Sequence, residues 1–219
     1  MTLISSSSTS SACPDGAVTL TAVTGVILAG GRAARMGGRD KGLLPLADEP
    51  LIVHSIRRLQ PQVAEVLISA NRHLELYRQW GCRVIADSEP GSRGPLAGIL
   101  TALQVAETPY VVTAPCDSPR LPADYVQRLW TALVPGQVTV SVVSHAGDWQ
   151  PVFMLLPAAL QDDLAGYLAA GEGGVNRWLQ RHQPAVVEFP DEPLGFCNIN
   201  TLDDLARQEA DWRKGAGRC

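Results

Sequence analysis

From Val23 onward, short apolar runs alternate with amphipathic segments, and this rhythm limits the fold more than any other feature of the chain. The runs Val23–Ala29, Glu65–Ala70, Arg83–Ala86 and Tyr110–Ala114 predict strands. Between them, Leu51–Leu59, His73–Trp80 and Leu96–Ala106 carry apolar residues at helical spacing, and each stops at Pro, Gly or a polar cluster. Strands and helices in that alternation build βαβ units with right-handed crossovers, so the four strands make one half of a doubly wound sheet. The expected class is α/β: a Rossmann-like, three-layer α/β/α arrangement around a mainly parallel sheet.

The second half changes character. Val138–Ser144 and Gln150–Leu156 are β-rich runs flanking the turn-like His145-Ala146-Gly147-Asp148, which predicts a hairpin and hence a partly mixed sheet. Helices are expected near Ala158–Ala170 and Val175–Arg181, strands near Ala185–Phe189 and Phe196–Ile199, and a last helix from Leu202 to about Trp212.

The 219 residues fit a single domain over 23–212, and a hydrophobic content of 46% against 18% charged residues supplies a buried core. Residues 1–22 lack a basic n-region and a continuous apolar stretch, so they read as a Ser-rich disordered tail and not as a secretory signal or anchor. Residues 213–219 read as a flexible C-terminal tail. A net charge of −4 argues against a general nucleic-acid surface, and no run reaches the roughly 18 apolar residues that span a bilayer. Five widely spaced cysteines offer neither a zinc pattern nor an even disulfide framework, which points to a reducing cytoplasm.

The chemistry concentrates in Leu28-Ala29-Gly30-Gly31-Arg32-Ala33-Ala34-Arg35-Met36-Gly37-Gly38-Arg39-Asp40-Lys41, directly after the first strand. A glycine-rich turn brings backbone N–H groups close to phosphate oxygens, and Arg35 and Lys41 add positive charge, so the segment reads as a triphosphate cradle. It has neither the P-loop nor the dinucleotide-binding glycine spacing. Asp117 stands just past the strand Tyr110–Ala114, at the carboxyl edge where open α/β sheets bind ligands, and is placed to hold Mg²⁺ together with phosphate oxygens; it reads equally well as the opening of a turn before Pro119. Asn71 and Asp87 also end strands, and Asn71 reads equally as the N-cap of the helix His73–Trp80. Gly94-Pro95-Leu96-Ala97-Gly98 opens a helix, with Gly94 and Gly98 leaving room for a flat ring. The four histidines lack metal-ligand spacing and read as ordinary surface or helix residues, and Cys116 reads as a small core residue.

Leu28–Gly31, Arg35-Met36-Gly37-Gly38 and Asp40-Lys41 together resemble the signature of the nucleotidyltransferase family, and within it the molybdenum cofactor guanylyltransferases (MobA). Asn71-Arg72-His73, Ile85-Ala86-Asp87-Ser88, Gly94–Gly98, Pro115–Pro119 and Asn198-Ile199-Asn200-Thr201 follow in the order that family has them, so the resemblance spans Thr24 to Arg207. It implies a nucleotidyltransferase fold that transfers GMP from GTP to molybdopterin. GTP would be met by Leu28, Ala29, Gly30, Gly31, Lys41, Asn71, Asp87, Gly94, Pro95, Leu96 and Asp117, with Asp117 holding Mg²⁺. Lys41, Arg35 and Asp117 would carry catalysis. Gln150, Pro151, Asn198 and Asn200 would line the molybdopterin side, although asparagines beside a strand also serve as turn formers; Gln150 stands where relatives often have His. A carboxylate at Asp87 can accept from guanine N1–H and N2–H. Other cofactor-assembly proteins and molybdoenzymes are the implied partners. The competing readings are a cytidylyltransferase acting on molybdopterin or a sugar-alcohol phosphate, whose members usually carry a Ser-containing loop in place of Gly94–Gly98, and a GTP-binding module without catalysis.

Overall fold

The computed structural model describes residues 20–30, 38–87, 94–134, 137, 139–190, 192 and 194–216. Gly31 and Arg35 of the expected cradle, and nearly all of the Ser-rich segment, lie outside the described residues.

Nine strands occur among the described residues: β1 Val23–Leu28, β2 Pro45–Leu46, β3 Glu49–Pro50, β4 Glu65–Ser69, β5 Arg83–Ile85, β6 Tyr110–Pro115, β7 Ser141–His145, β8 Asp148–Pro157 and β9 Ala185–Glu188. The α-helices are α1 Leu51–Leu59, α2 Leu74–Arg78, α3 Pro95–Val105, α4 Tyr125–Thr131, α5 Gln161–Ala169, α6 Val175–Arg181 and α7 Leu202–Ala216. Seven strands form one sheet in the order β5-β4-β1-β6-β8-β7-β9. β1 pairs in parallel with β4 and β6, β8 runs antiparallel to both β6 and β7, and β7 pairs in parallel with β9. The sheet is thus mainly parallel and mixed in its second half, and the β7–β8 connection is the expected hairpin, with Ala146 and Gly147 in the left-handed region that such two-residue loops require.

Alternation along the strands divides the core. Ile27, Val112 and Ala114, Phe153 and Leu155 join Ile52, Ile56 and Leu59 of α1 and Tyr125, Val126 and Leu129 of α4 on one face. Val26, Val111, Met154 and Leu156 join Leu96, Ile99 and Leu103 of α3, Leu164 of α5 and Trp178 of α6 on the other. β1 lies close under α1: a Cβ on Gly25 would stand 2.8 Å from Leu59 Cδ2, so only glycine permits this approach.

Several expectations need correction. Phe196–Ile199 is not a strand: it is a turn and an extended loop whose Ile199 N–H bonds to the Asp117 carbonyl (3.1 Å), and its apolar residues are there to bury Phe196 and Ile199. Helix α4 has no counterpart in the sequence reading. Its Tyr, Val, Trp and Thr are indifferent helix formers, and burial of Tyr125, Val126 and Leu129, each worth about 1.5–3 kcal/mol, is what forms it. The β2–β3 ribbon was likewise unforeseen; it turns through Ala47 and Asp48, both at positive φ. Helix α7 continues to Ala216, so residues 213–216 are helical and not part of a tail. A small cluster of Leu44, Leu46, Leu51 and Ile199 with Leu205 and Trp212 holds α7 against the ribbon.

Candidate active site

The carboxyl ends of β1, β4, β5 and β6 and the amino end of β8 share one edge of the sheet, and the polar residues singled out from the sequence collect there. Lys41 opens a single 3-10 turn, Lys41–Leu43, whose N-cap is Asp40; the Asp40 carboxylate accepts from the Gly42 N–H at 3.2 Å. It also accepts from the Tyr77 hydroxyl and pairs with His73 Nδ1 at 3.0 Å. Both Asp40 and Tyr77 are buried, and burial, with the neighbouring carboxylate, pushes the Tyr77 hydroxyl far above its ordinary pKa and keeps it a donor. The backbone that carries Lys41 is therefore pinned to α2 from below.

Above that anchor, Lys41 Nζ donates to Asp117 Oδ2 at 2.7 Å and to Asn200 Oδ1 at 2.7 Å. Asp117 is 6% exposed, and a carboxylate at that depth needs a paired cation to offset its lost hydration. Its backbone is fixed by the Cys116 N–H to the Leu28 carbonyl (3.1 Å) before it and the Ile199 N–H on its own carbonyl. Cys116 is fully buried, with its thiol pushed well above the ordinary value by burial, and is a core residue as expected.

The asparagines after the last strand do more than form turns. Asn198 Oδ1 accepts from Ser118 Oγ at 2.8 Å, and Asn200 reaches Lys41. Thr201 and Asp204 form a reciprocal capping box at the start of α7: the Asp204 N–H donates to Thr201 Oγ1 (3.0 Å), while Asp204 Oδ2 accepts from the N–H groups of Thr201 (2.9 Å) and Asn200 (3.1 Å). A hydrogen bond from the Thr201 hydroxyl to the carboxyl, joined by the two backbone N–H groups and the nearby Arg207 guanidinium, holds the Asp204 carboxyl below its usual range. Gln150 and Pro151 lie on β8 at the same edge, but the Gln150 amide turns to the Asp148 carbonyl (3.5 Å) and does not join the asparagines.

Toward the other end of the edge, Asn71 does not cap α2; that position is His73, at φ 52°. Its amide instead engages Asp87 twice, Nδ2 donating to Oδ2 at 2.7 Å and Oδ1 accepting the Asp87 N–H at 2.9 Å. Asp87 Oδ1 is buried and has no hydrogen-bond partner among the described residues. Gly30 runs beside this pair, since a Cβ on it would touch Asn71 Nδ2 at 3.4 Å. At the start of α3, Gly94 caps the helix at φ 75° and Pro95 takes its first position, whereas the Leu96 side chain is buried in the core. At Gly98 a Cβ would run into Ser69 Oγ, so its lack of a side chain serves helix-to-sheet contact.

Asp40, His73, Ser118 and Thr201 stand within the motifs that carry the resemblance but have no role assigned from the sequence, and Tyr77 and Asp204, which join them at this edge, are not singled out there. The Thr-x-x-Asp spacing ahead of an apolar run was the one available signal among them. Among the described residues, no group of three or more His, Cys, Asp or Glu side chains stands ready for a metal.

Residues 25–186 match the family profile of the MobA-like NTP transferase domain, a span that holds Lys41, Asn71, Asp87 and Asp117. The chain belongs to that family. Among MobA-like relatives, the molybdenum cofactor guanylyltransferase of Cupriavidus metallidurans is 46% identical over 198 residues, covering 88% of this chain and 97% of the relative. The molybdenum cofactor guanylyltransferase of Shewanella amazonensis is 46% identical over 183 residues, 84% of this chain and 93% of its own. The solved molybdopterin-guanine dinucleotide biosynthesis protein A of Archaeoglobus fulgidus shares the fold, with a TM-score of 0.70 at 24% identity over 87% of this chain and 99% of that one. The MobA-like architecture thus agrees with the nucleotidyltransferase fold expected from the motifs.

Proposed function

We propose that this chain transfers GMP from GTP to the terminal phosphate of molybdopterin, forming the guanine dinucleotide and releasing pyrophosphate. Curated relatives at 46% identity over most of the chain bear the name of that activity. The observation that carries the reading is the position of Lys41 Nζ, 2.7 Å from both Asp117 and Asn200, because it joins the nucleotide loop, a buried carboxylate and the acceptor-side asparagines at one point.

Both reactants are anions, so the chain must offset their repulsion and align the attacking oxygen with the α-phosphorus. Lys41 brings its charge to the phosphates, the backbone of Leu28–Gly30 borders them, and Gly31 and Arg35 complete the cradle by resemblance. Asp117 suits Mg²⁺, which takes one or two protein carboxylates and fills its other positions with phosphate oxygens and water. When bound, the ion would neutralise phosphate charge. Asp87, one oxygen of which has no partner among the described residues, selects the nucleoside, next to Gly94, Pro95 and the backbone of Leu96. Gln150, Pro151, Asn198 and Asn200 form the acceptor side. The reaction belongs in the cytoplasm, a reading supported by five widely spaced cysteines that offer no even disulfide framework; other cofactor-assembly proteins and molybdoenzymes would be its partners.

Incubation with GTP, Mg²⁺ and molybdopterin, with mass detection of the guanine dinucleotide, tests the proposal, and CTP run in parallel tests the base. Pyrophosphate release with CTP alone would replace it by a cytidylyltransferase, and GTP binding without any product would replace it by a binding module.

A further inference from the structure

We infer that Trp212, near the end of α7, is a positioning residue for the transfer site: with Arg120 and Gln208 it makes the last helix a common backing that holds Lys41, Asp117 and Asn200 at one point. This rests on the reading of that point as the place of transfer.

Each of the three residues is tied to α7 or to the loop that leads into it. Asn200 stands just before the helix, its backbone N–H donating to Asp204 Oδ2 at 3.1 Å. Asp117 accepts the Ile199 N–H on its carbonyl at 3.1 Å. Farther along the same loop, Arg120 Nε donates to Gln208 Oε1 of α7 at 3.1 Å, and its guanidinium lies 4.7 Å over the Trp212 ring. On the lysine side, the Leu44 N–H closes the turn on the Lys41 carbonyl at 3.1 Å. Leu44 and Leu46 belong to the small cluster against which Leu205 and Trp212 pack. His54 of α1 stands edge-on to the same indole at 4.6 Å and donates from Nε2 to the Leu46 carbonyl at 2.9 Å, since a carbonyl only accepts. The Trp212 ring therefore separates and supports two arms, one that carries Lys41 and one that carries Asp117. Gln208 is buried, and Arg120 Nη2 is buried without a hydrogen-bond partner among the described residues, so this guanidinium is partly out of water and leans on the ring. A cation over an aromatic face gains strength as it is desolvated. Loss of the indole leaves Lys41 and Asp117 in the chain but removes what keeps them in register, and a misplacement of about 1 Å can cost on the order of a hundredfold in rate. The Asn71–Asp87 pair, whose bonds involve no residue of α7, is left as it was.

The test compares Trp212→Ala, Trp212→Phe, Arg120→Met and Trp212→Ala/Arg120→Met in the full chain, each well below its unfolding midpoint. The first measurement needs neither nucleotide nor acceptor. The chain has two lysines, Lys41 and Lys214. The Lys41 side chain is 19% exposed and that of Lys214 is 73% exposed, so limited acetylation read by peptide mass spectrometry reports the freedom of Lys41 against an internal reference. Trp212→Ala should raise the ratio of Lys41 to Lys214 labelling about fivefold, and Trp212→Phe, which keeps a ring under Arg120, should leave it within about twofold. In the transfer reaction, kcat of Trp212→Ala should fall about ten- to a hundredfold while the KM for GTP stays within about threefold, with Trp212→Phe recovering most of the loss. Arg120→Met should lower kcat as well, and the double variant should be no slower than Trp212→Ala within about twofold, because the two side chains act as one support. A lowered unfolding midpoint in Trp212→Ala with Lys41 labelling and kcat unchanged would show a merely structural indole and overturn the inference. So would equal losses in the Phe and Ala variants, a loss confined to the KM for GTP, or a double variant slowed by the product of the single effects. If the unsubstituted chain forms no dinucleotide, the proposed transfer fails, and the labelling ratio still decides whether Trp212 positions Lys41.

Discussion

The hydroxyl of Tyr77 donates to the carboxylate of Asp40, the residue immediately before Lys41, and both side chains lie inside the protein. A cation at the surface of the site is thus held in register by a polar contact made beneath it. Tyr77→Phe removes the donor and leaves a buried carboxylate oxygen short of a partner, so it should cost about 1–3 kcal/mol in urea unfolding. Turnover should fall as well, because the Lys41 turn loses its tie to α2; full stability with Phe at 77 would show that the contact contributes nothing.

Lys41→Ala removes the charge shared by Asp117 and Asn200. Turnover is expected to fall on the order of a hundredfold or more, by analogy with the loss of other preorganised charge-stabilising groups. Steady-state kinetics close to those of the unsubstituted chain would reject the role given to this lysine.

Gly98→Ala tests whether the glycine-rich start of α3 serves packing or ligand. The added methyl meets Ser69 Oγ, so α3 must move off β4, at a cost of about 1–3 kcal/mol in thermal or urea unfolding. Ser69→Ala in the same chain should recover part of that loss. A ligand role alone predicts the reverse pattern, with stability unchanged and GTP affinity reduced.

The capping box at Thr201 and Asp204 makes a prediction about pH. The folded carboxyl of Asp204 titrates below its unfolded value, so its contribution is complete above the unfolded pKa, near 4, and disappears as the pH falls through the lower folded value. Asp204→Asn should therefore be less stable than the unsubstituted chain at neutral pH, by about 1 kcal/mol as for the loss of a cap, with the gap closing in acid. An equal difference at pH 7 and at pH 2.5 in urea melts would contradict this.

The sequence made the scaffold readable wherever a local pattern and a tertiary demand coincide. Helix α1 spans the very residues expected, since Leu51, Ile52, Ser55, Ile56 and Leu59 fall on one buried face. It misled where burial occurs without regular pairing. Phe196 and Ile199 look like strand residues because both are buried, but their loop takes its hydrogen bonds from Asp117 and from its own turn. At the site, Lys41 and Asp117 were recognisable because each ends or follows a glycine-rich or apolar run at the ligand edge of the sheet. The partners of Asp40 lie 33 and 37 positions away on α2 and its approach, and no local spacing announces them. Asn71 was placed at the right edge, yet its engagement with Asp87 depends on how β4 and β5 pair, which short-range pattern does not encode.

The ammonium group on Lys41 acts as a stopper in the mouth of the Asp117 carboxylate. A bare divalent ion approaching that oxygen finds its charge already balanced and would have to expel a lysine that has no better place to go. Under the proposed function, a triphosphate arriving with its own ion would offer the lysine a new counter-charge in place of Asp117. With Asp117 in its proposed role, the arrangement would favour metal carried in on a nucleotide over solitary metal, and the carboxylate would stay in reserve until the nucleotide is there to use it.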